Sequence, residues 1–207
     1  TSLSLSVSLL LDSSASMEDK MRTTQEAASG FVQSLRPEDQ AQVIDFDSRV
    51  RVAAPFTSSK ADLEAAIAST VPGGSTSLFT AIYIALRDLK NPESRVTEDL
   101  RRRAVIVLSD GEDTSSLVSY DEVLELAKRS ETAIYAIGIR SKDANAFGKG
   151  YGRADYALRQ LTTQTGGRVF FHHDGFTQYP KDGAISRLSK AFFLKHPPAT
   201  SIQVKAT

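Results

Sequence analysis

Two short runs constrain this chain more than any other feature: AVIVL at residues 104–108 and AIYAIGI at 133–139. Both read as strands, and both are apolar at nearly every position. Successive side chains of a strand point to opposite faces, so a strand apolar at every position must be covered on both faces. Segments of helical periodicity separate the strand-like runs and supply that cover. After the run at 3–11, apolar residues recur at Met17, Met21, Ala28, Phe31, Val32 and Leu35. Helices are also predicted at 59–69, along the face Leu78, Ile82, Ala85, Leu86 and Leu89, at 120–130, and at 154–167, ending on the paired glycines Gly166 and Gly167. Ser59 and Asp62 form a capping-box pattern. Strands are predicted at 41–46, at 49–56 after a tight turn at Asp47 and Ser48, and at 168–171. The close spacing of the runs at 41–46 and 49–56 predicts a hairpin, with the second strand antiparallel at an edge. The whole is an α/β pattern: a doubly wound, mostly parallel sheet of about six strands with helices on both faces. A helix is also expected at 184–193 and a terminal strand at 200–207.

Composition removes several functional classes. Lys plus Arg and Asp plus Glu both number 25, so no global charge draws the chain to nucleic acid or to an anionic membrane. There are no cysteines, which excludes disulfide frameworks and thiol catalysis. No apolar run approaches the length of a membrane span, so no direct membrane insertion by this segment is expected. The 207 residues suffice for one domain with a sizeable core and a short appendage. The first residues already read as strand with no signal peptide, as in a domain excised from something longer.

In such sheets ligands bind beyond the carboxyl ends of the strands. The run SLLLDSSASMED (8–19) leaves its strand on a carboxylate followed by three serines. Asp12, Ser14 and Ser16 form D-x-S-x-S, an arrangement of side-chain oxygens that suits a hard divalent cation. A second reading stands beside it: Ser16 as N-cap of a helix starting at Met17, with Asp19 completing a capping box and Ser14 satisfying loop amides. Asp110 ends the strand-like run of VLSDGEDT in the same way, and Thr76 lies in GGSTSLFTAI, on a Gly-rich loop before a helix.

Together these segments resemble a von Willebrand factor type A domain, the family that includes integrin I domains. LLLDSSASM, FDSRVRVAAPF, GGSTSLFTAIYIAL and VIVLSDGEDTSS are similar to bacterial members, and the resemblance runs from about residue 3 to 173. It implies the strand order 3-2-1-4-5-6, and a family domain over residues 1–176 with a C-terminal helix and tail at 177–207. It also implies a metal-ion-dependent adhesion site at Asp12, Ser14, Ser16, Thr76 and Asp110. In the family the serines bind the ion directly. The threonine alternates between direct and water-mediated contact, the aspartates often act through water, and a partner's acidic residue completes the shell. Magnesium is the implied ion, with manganese or calcium as alternatives. The implied partner is a protein presenting an acidic residue, and the implied location is extracellular or the cell envelope.

The chain departs from the family at two places. Ser75 stands where bacterial relatives usually carry Gly, and Asp45 where they commonly carry Thr. An inward Asp45 needs a partner, because an unpaired buried carboxylate is costly. Glu112 and Asp113 either line the metal site or serve a loop or a helix start. His172 and His173 follow the run at 168–171; if both lie on a strand, adjacent side chains face opposite ways, which favours packing over a shared ion. Lys142, Lys149, Tyr151 and Arg153 lie on a Gly-rich loop, expected over 140–153, that either reads a partner or is solvated surface.

The competing enzymatic reading is a phosphatase resembling the haloacid dehalogenase superfamily, which places a nucleophilic Asp after its first strand. Its acid/base is a second Asp two residues later; here that position is Ser14, which cannot act as a tuned carboxylic acid. No G-x-S-x-G elbow, Walker A motif or dinucleotide fingerprint occurs. The sequence therefore reads as a metal-dependent binding module and not an enzyme. A metal-free scaffold keeping the motif for fold reasons is the third possibility.

Overall fold

The computed structural model describes residues 3–90, 101–110, 112–140 and 153–173. Six strands form one sheet: β1 (Leu5–Asp12), β2 (Gln40–Phe46), β3 (Val50–Thr57), β4 (Arg102–Ser109), β5 (Ala133–Arg140) and β6 (Val169–His173). Their spatial order is β3-β2-β1-β4-β5-β6, as the resemblance implied. All neighbours are parallel except β2 and β3, which form the expected antiparallel hairpin at the edge. A 3-10 turn (Ala15–Lys20) leads into α1 (Met21–Gln33). The other helices are α2 (Lys60–Ala68), α3 (Leu78–Lys90), α4 (Tyr120–Arg129) and α5 (Arg153–Gln164).

Strand parity decides which layer each apolar residue joins. Leu9 and Leu11 of β1, Ile106 and Leu108 of β4, and Tyr135 and Ile137 of β5 pack with Phe31 and Val32 of α1 and Leu63 and Ile67 of α2. Their alternates Leu10, Val105, Val107, Ile134 and Ala136 pack with Ile82 and Leu86 of α3, Val123 of α4, and Leu158 and Leu161 of α5. The apolar runs that read as doubly covered are therefore buried on both faces. Ser6 and Ser8 interrupt β1 but are also buried, and they accept hydrogen bonds from Gln40 Nε2 (2.9 Å) and Gln42 Nε2 (2.8 Å) of β2. Burial is thus tolerated because each hydroxyl has a partner on the adjacent strand.

Several local expectations need correction. Ser16 does not cap a helix at Met17. The 3-10 turn intervenes with Ser14 at its cap position and no side-chain cap bond, and α1 starts only at Met21. Ser59 accepts from Asp62 N (3.3 Å), but its own N–H donates to Thr57 Oγ1, so only half of a capping box forms there. The complete box is at α4, where Ser119 and Glu122 each bond the other's backbone. Strand β5 runs to Arg140 and α5 begins at Arg153, so both ends of the expected 140–153 loop belong to regular elements. Lys142, Lys149 and Tyr151, the helix expected at 184–193 and the strand expected at 200–207 lie outside the described residues.

Candidate metal centre

Asp12 is the last residue of β1, and Asp110 follows the last residue of β4. These strands are adjacent and parallel, so both carboxylates lie at the same edge of the sheet, its carboxyl edge. Asp12 is fully buried. Its Oδ1 accepts from Ser14 N (2.9 Å) and its Oδ2 from Ser109 Oγ (2.6 Å). Burial pushes its pKa up to about 6, and the hydrogen bonds from Ser109 and Ser14 oppose that rise. The negative charge of Asp110 adds a smaller upward push.

The loop after β1 sends Ser14 and Ser16 to one side, with their hydroxyls 3.0 Å apart. The Gly-rich loop is stitched against it: Gly73 N donates to Ser13 O (2.7 Å), and Ala15 N donates to Gly74 O (3.0 Å). Gly74 has a φ of +74°, and a side chain there would collide with Ser48 Oγ. Thr76 is buried, and its backbone is held from the third loop. Its N–H donates to Thr114 Oγ1 (2.9 Å), and its carbonyl accepts from Thr114 N (2.9 Å) and Ser115 N (3.0 Å). Its hydroxyl makes no hydrogen bond among the described residues. Thus the loops carrying Asp12, Ser14 and Ser16, then Thr76, then the segment after Asp110, meet through backbone contacts that leave side-chain oxygens available.

Asp110 Oδ2 accepts from Lys20 Nζ at 3.1 Å, while its buried Oδ1 has no hydrogen-bond partner. An orphaned buried carboxylate oxygen calls for a cation or donor. Among the described residues no group of three or more His, Cys, Asp and Glu surrounds a point that could hold a metal ion. The set instead offers two carboxylates and three hydroxyls, all hard oxygens of the kind that suits Mg, Ca or Mn. With the unpartnered Asp110 Oδ1, this donor set fits a divalent cation.

A sequence profile of the von Willebrand factor type A domain matches residues 6–181. The chain belongs to the von Willebrand factor type A family. A curated relative, an uncharacterized protein of Borreliella burgdorferi, is 25% identical over 191 residues, which is 82% of this chain and 54% of the relative. The chain thus spans about half the length of that relative. The vWF domain of the type V pili tip protein Mfa5 from Porphyromonas gingivalis has a TM-score of 0.69 at 11% identity, covering 97% of this chain and 98% of that one. Proximal thread matrix protein 1 of the mussel byssus, solved with a zinc-occupied MIDAS motif, has a TM-score of 0.67 at 20% identity, covering 94% of this chain and 47% of that one. These structural likenesses establish the α/β fold of the von Willebrand factor type A domain here.

The departures from the family pattern resolve locally. Asp45 faces Arg51 across the β2–β3 hairpin and receives both arms of its guanidinium, at 3.0 and 2.5 Å. Ser75 is exposed, and its N–H donates to Ser48 Oγ (2.9 Å). Asp113 Oδ1 accepts from Phe79 N (3.3 Å) and Ser116 Oγ (2.6 Å), so it serves the start of α3. Glu112 is exposed and lines a cavity of about 520 Å³ with Phe79, Tyr120 and Tyr156. His172 and His173 lie on β6, in register with Ile139 and Arg140 of β5.

Sequence reasoning missed Ser109, Thr114 and Lys20. Lys20 carried a signal: it precedes Met21 and sits four residues before buried Thr24, on the stripe that α1 turns inward. A charged residue on such a stripe needs a buried partner.

Proposed function

We propose that this domain is a divalent-metal-dependent protein-binding module, not an enzyme, and that Asp12, Ser14, Ser16, Thr76 and Asp110 hold the ion. The observation that carries the reading is the buried, unpartnered Oδ1 of Asp110 at the edge where the other four residues also lie. A bound divalent cation supplies an electrophilic position that a carboxylate oxygen from a partner can fill. The protein's own residues do the rest. Ser109 and Ser14 hold the Asp12 carboxylate in place. The Ser14 and Ser16 hydroxyls contribute oxygen without charge, which leaves the site short of negative charge and favours an acidic side chain from outside. Thr76, anchored by its backbone to Thr114, has a hydroxyl able to exchange between direct and water-mediated contact.

Magnesium is the proposed ion, with manganese or calcium as alternatives. The proposed partner is a protein presenting an acidic residue at its surface. An extracellular or cell-envelope location is supported by the pili tip neighbour. Among the described residues no helix is long and apolar enough to cross a membrane.

Calorimetry with magnesium and manganese tests the site. One main site is expected in the parent, absent from Asp12→Ala and weakened in Ser14→Ala, with circular dichroism unchanged. Capture of partners from an envelope or secreted fraction, in magnesium and in EDTA, tests the mode. Recovery should need metal and fall in Thr76→Ala more than metal binding does. Phosphatase turnover abolished by Asp12→Asn would instead support the enzymatic reading.

A further inference from the structure

We infer that Lys20 is the resident counter-cation of this site: its ammonium neutralises Asp110 in the metal-free domain and yields that carboxylate when a divalent ion binds. This rests on the metal reading above and adds to it the residue that opposes the ion.

Lys20 ends the 3-10 turn that directly follows the serine loop. Its side chain is 6% exposed, and Nζ lies 3.1 Å from Oδ2 of Asp110, whose side chain is 14% exposed. The backbone is fixed as well, since Lys20 O accepts from Thr24 Oγ1 (3.0 Å). Helical periodicity would place an apolar residue here, between the buried Met17 and Met21. A lysine ammonium is retained in such a place only when paired, because an isolated buried charge is strongly unfavourable. Among the described residues its ion-pair partner is Asp110 alone.

The electrostatics make Lys20 and the ion rivals. Asp12 is fully buried and Asp110 nearly so, and their charges repel. Either an ammonium or a divalent cation relieves that repulsion, and both together leave the site over-neutralised. The buried Oδ1 of Asp110 has no hydrogen-bond partner and is left for a cation, while Lys20 holds Oδ2. Two properties follow. The domain folds without metal because Lys20 stands in for it, and its metal affinity is lower than its oxygens alone would give. A partner's carboxylate then adds the negative charge that an ion competing with Lys20 lacks, so metal and partner bind cooperatively.

The test compares the parent with Lys20→Met by manganese calorimetry and by thermal melts in EDTA and in saturating manganese. The variant is expected to bind manganese at least roughly tenfold more tightly, ~1.4 kcal/mol. It should also melt lower than the parent in EDTA and gain more from manganese. Amine acylation of the unmodified protein, mapped by mass spectrometry, gives a second readout that does not depend on the variant folding. Lys20 should be protected in EDTA and more reactive in manganese. Equal or weaker manganese affinity in Lys20→Met, or unchanged Lys20 protection, overturns the inference and leaves the metal site standing. Failure of parent and variant alike to bind manganese overturns the metal reading, and this inference with it.

Discussion

Ser109 Oγ donates a 2.6 Å hydrogen bond to Asp12 Oδ2, joining the last residue of β4 to the last residue of β1. The bond crosses the sheet between the two strands that carry the candidate carboxylates, and it favours the ionised form of a group that burial disfavours.

Ser109→Ala should therefore destabilise the metal-free protein at pH 7.5 by about 1–3 kcal/mol, the cost of removing a donor from a buried charged acceptor. The loss should shrink at pH 5, where Asp12 holds a proton in the folded state. Urea unfolding at both pH values in EDTA measures the difference; equal losses would mean that the serine acts only through packing.

The pH dependence of stability follows from Asp12. Its pKa rises from 3.8 to about 6 on folding, mainly through burial. Between those values the folded chain keeps a proton that the unfolded chain has lost. The resulting stabilisation is complete below the unfolded value and disappears as pH rises through about 6. At pH 7.5 the ionised carboxylate costs the metal-free fold roughly 3 kcal/mol. Asp12→Asn, neutral at every pH, should be more stable than the parent in EDTA at pH 7.5 by up to that amount. The gap should narrow as pH falls through about 6 and close only below the unfolded value of 3.8, and a parent more stable than the variant at pH 7.5 contradicts the assignment.

Metal affinity should follow the same proton. An ion binding next to Asp12 favours the carboxylate, so below about pH 6 binding must release that proton. Manganese affinity should hold nearly constant from pH 7 to 8 and fall by roughly tenfold per pH unit below 6. Calorimetry across this range checks it, and a flat profile would exclude Asp12 from the site.

Arg36→Ala should separate fold stability from the site. Asp39, fully buried, accepts from Leu5 N (2.9 Å) and Arg36 N (3.0 Å) and takes two further bonds from the Arg36 guanidinium (3.0 and 2.7 Å). The pair sits where β1 and β2 begin, at the far end of the sheet from Asp12. Removing the arginine leaves a buried unpaired carboxylate, an expected loss of about 3–5 kcal/mol. Manganese affinity, measured below the melting transition, should be unchanged.

Much of this architecture was legible from local pattern. Apolar residues at every position of 104–108 required cover on two faces, and the helical spacing around Phe31 and around Ile82 supplied it. The placement of Asp12 and Asp110 at one edge followed, because each is the first acid after a parallel core strand. The strand order came from resemblance, since periodicity says which runs are strands but not which of them pair.

The Ser16 alternatives show where local pattern stops. A serine before a helical run satisfies the capping rule as well as the metal motif, and only the 3-10 turn from Ala15 to Lys20 removes the capping reading. The same limit applies to Lys20, Ser109 and Thr114. Their partners Asp110, Asp12 and Thr76 lie 90, 97 and 38 residues away. By itself the sequence determined the strands, the helices and the kinds of oxygen at the sheet edge, because those depend on side-chain chemistry at short spacing. Which oxygens are already bonded, which carboxylate a lysine holds and which oxygen is left open were decided only by tertiary structure. Such facts depend on distances of about 3 Å between segments far apart in the chain, and packing of the two helical layers on the sheet sets those distances.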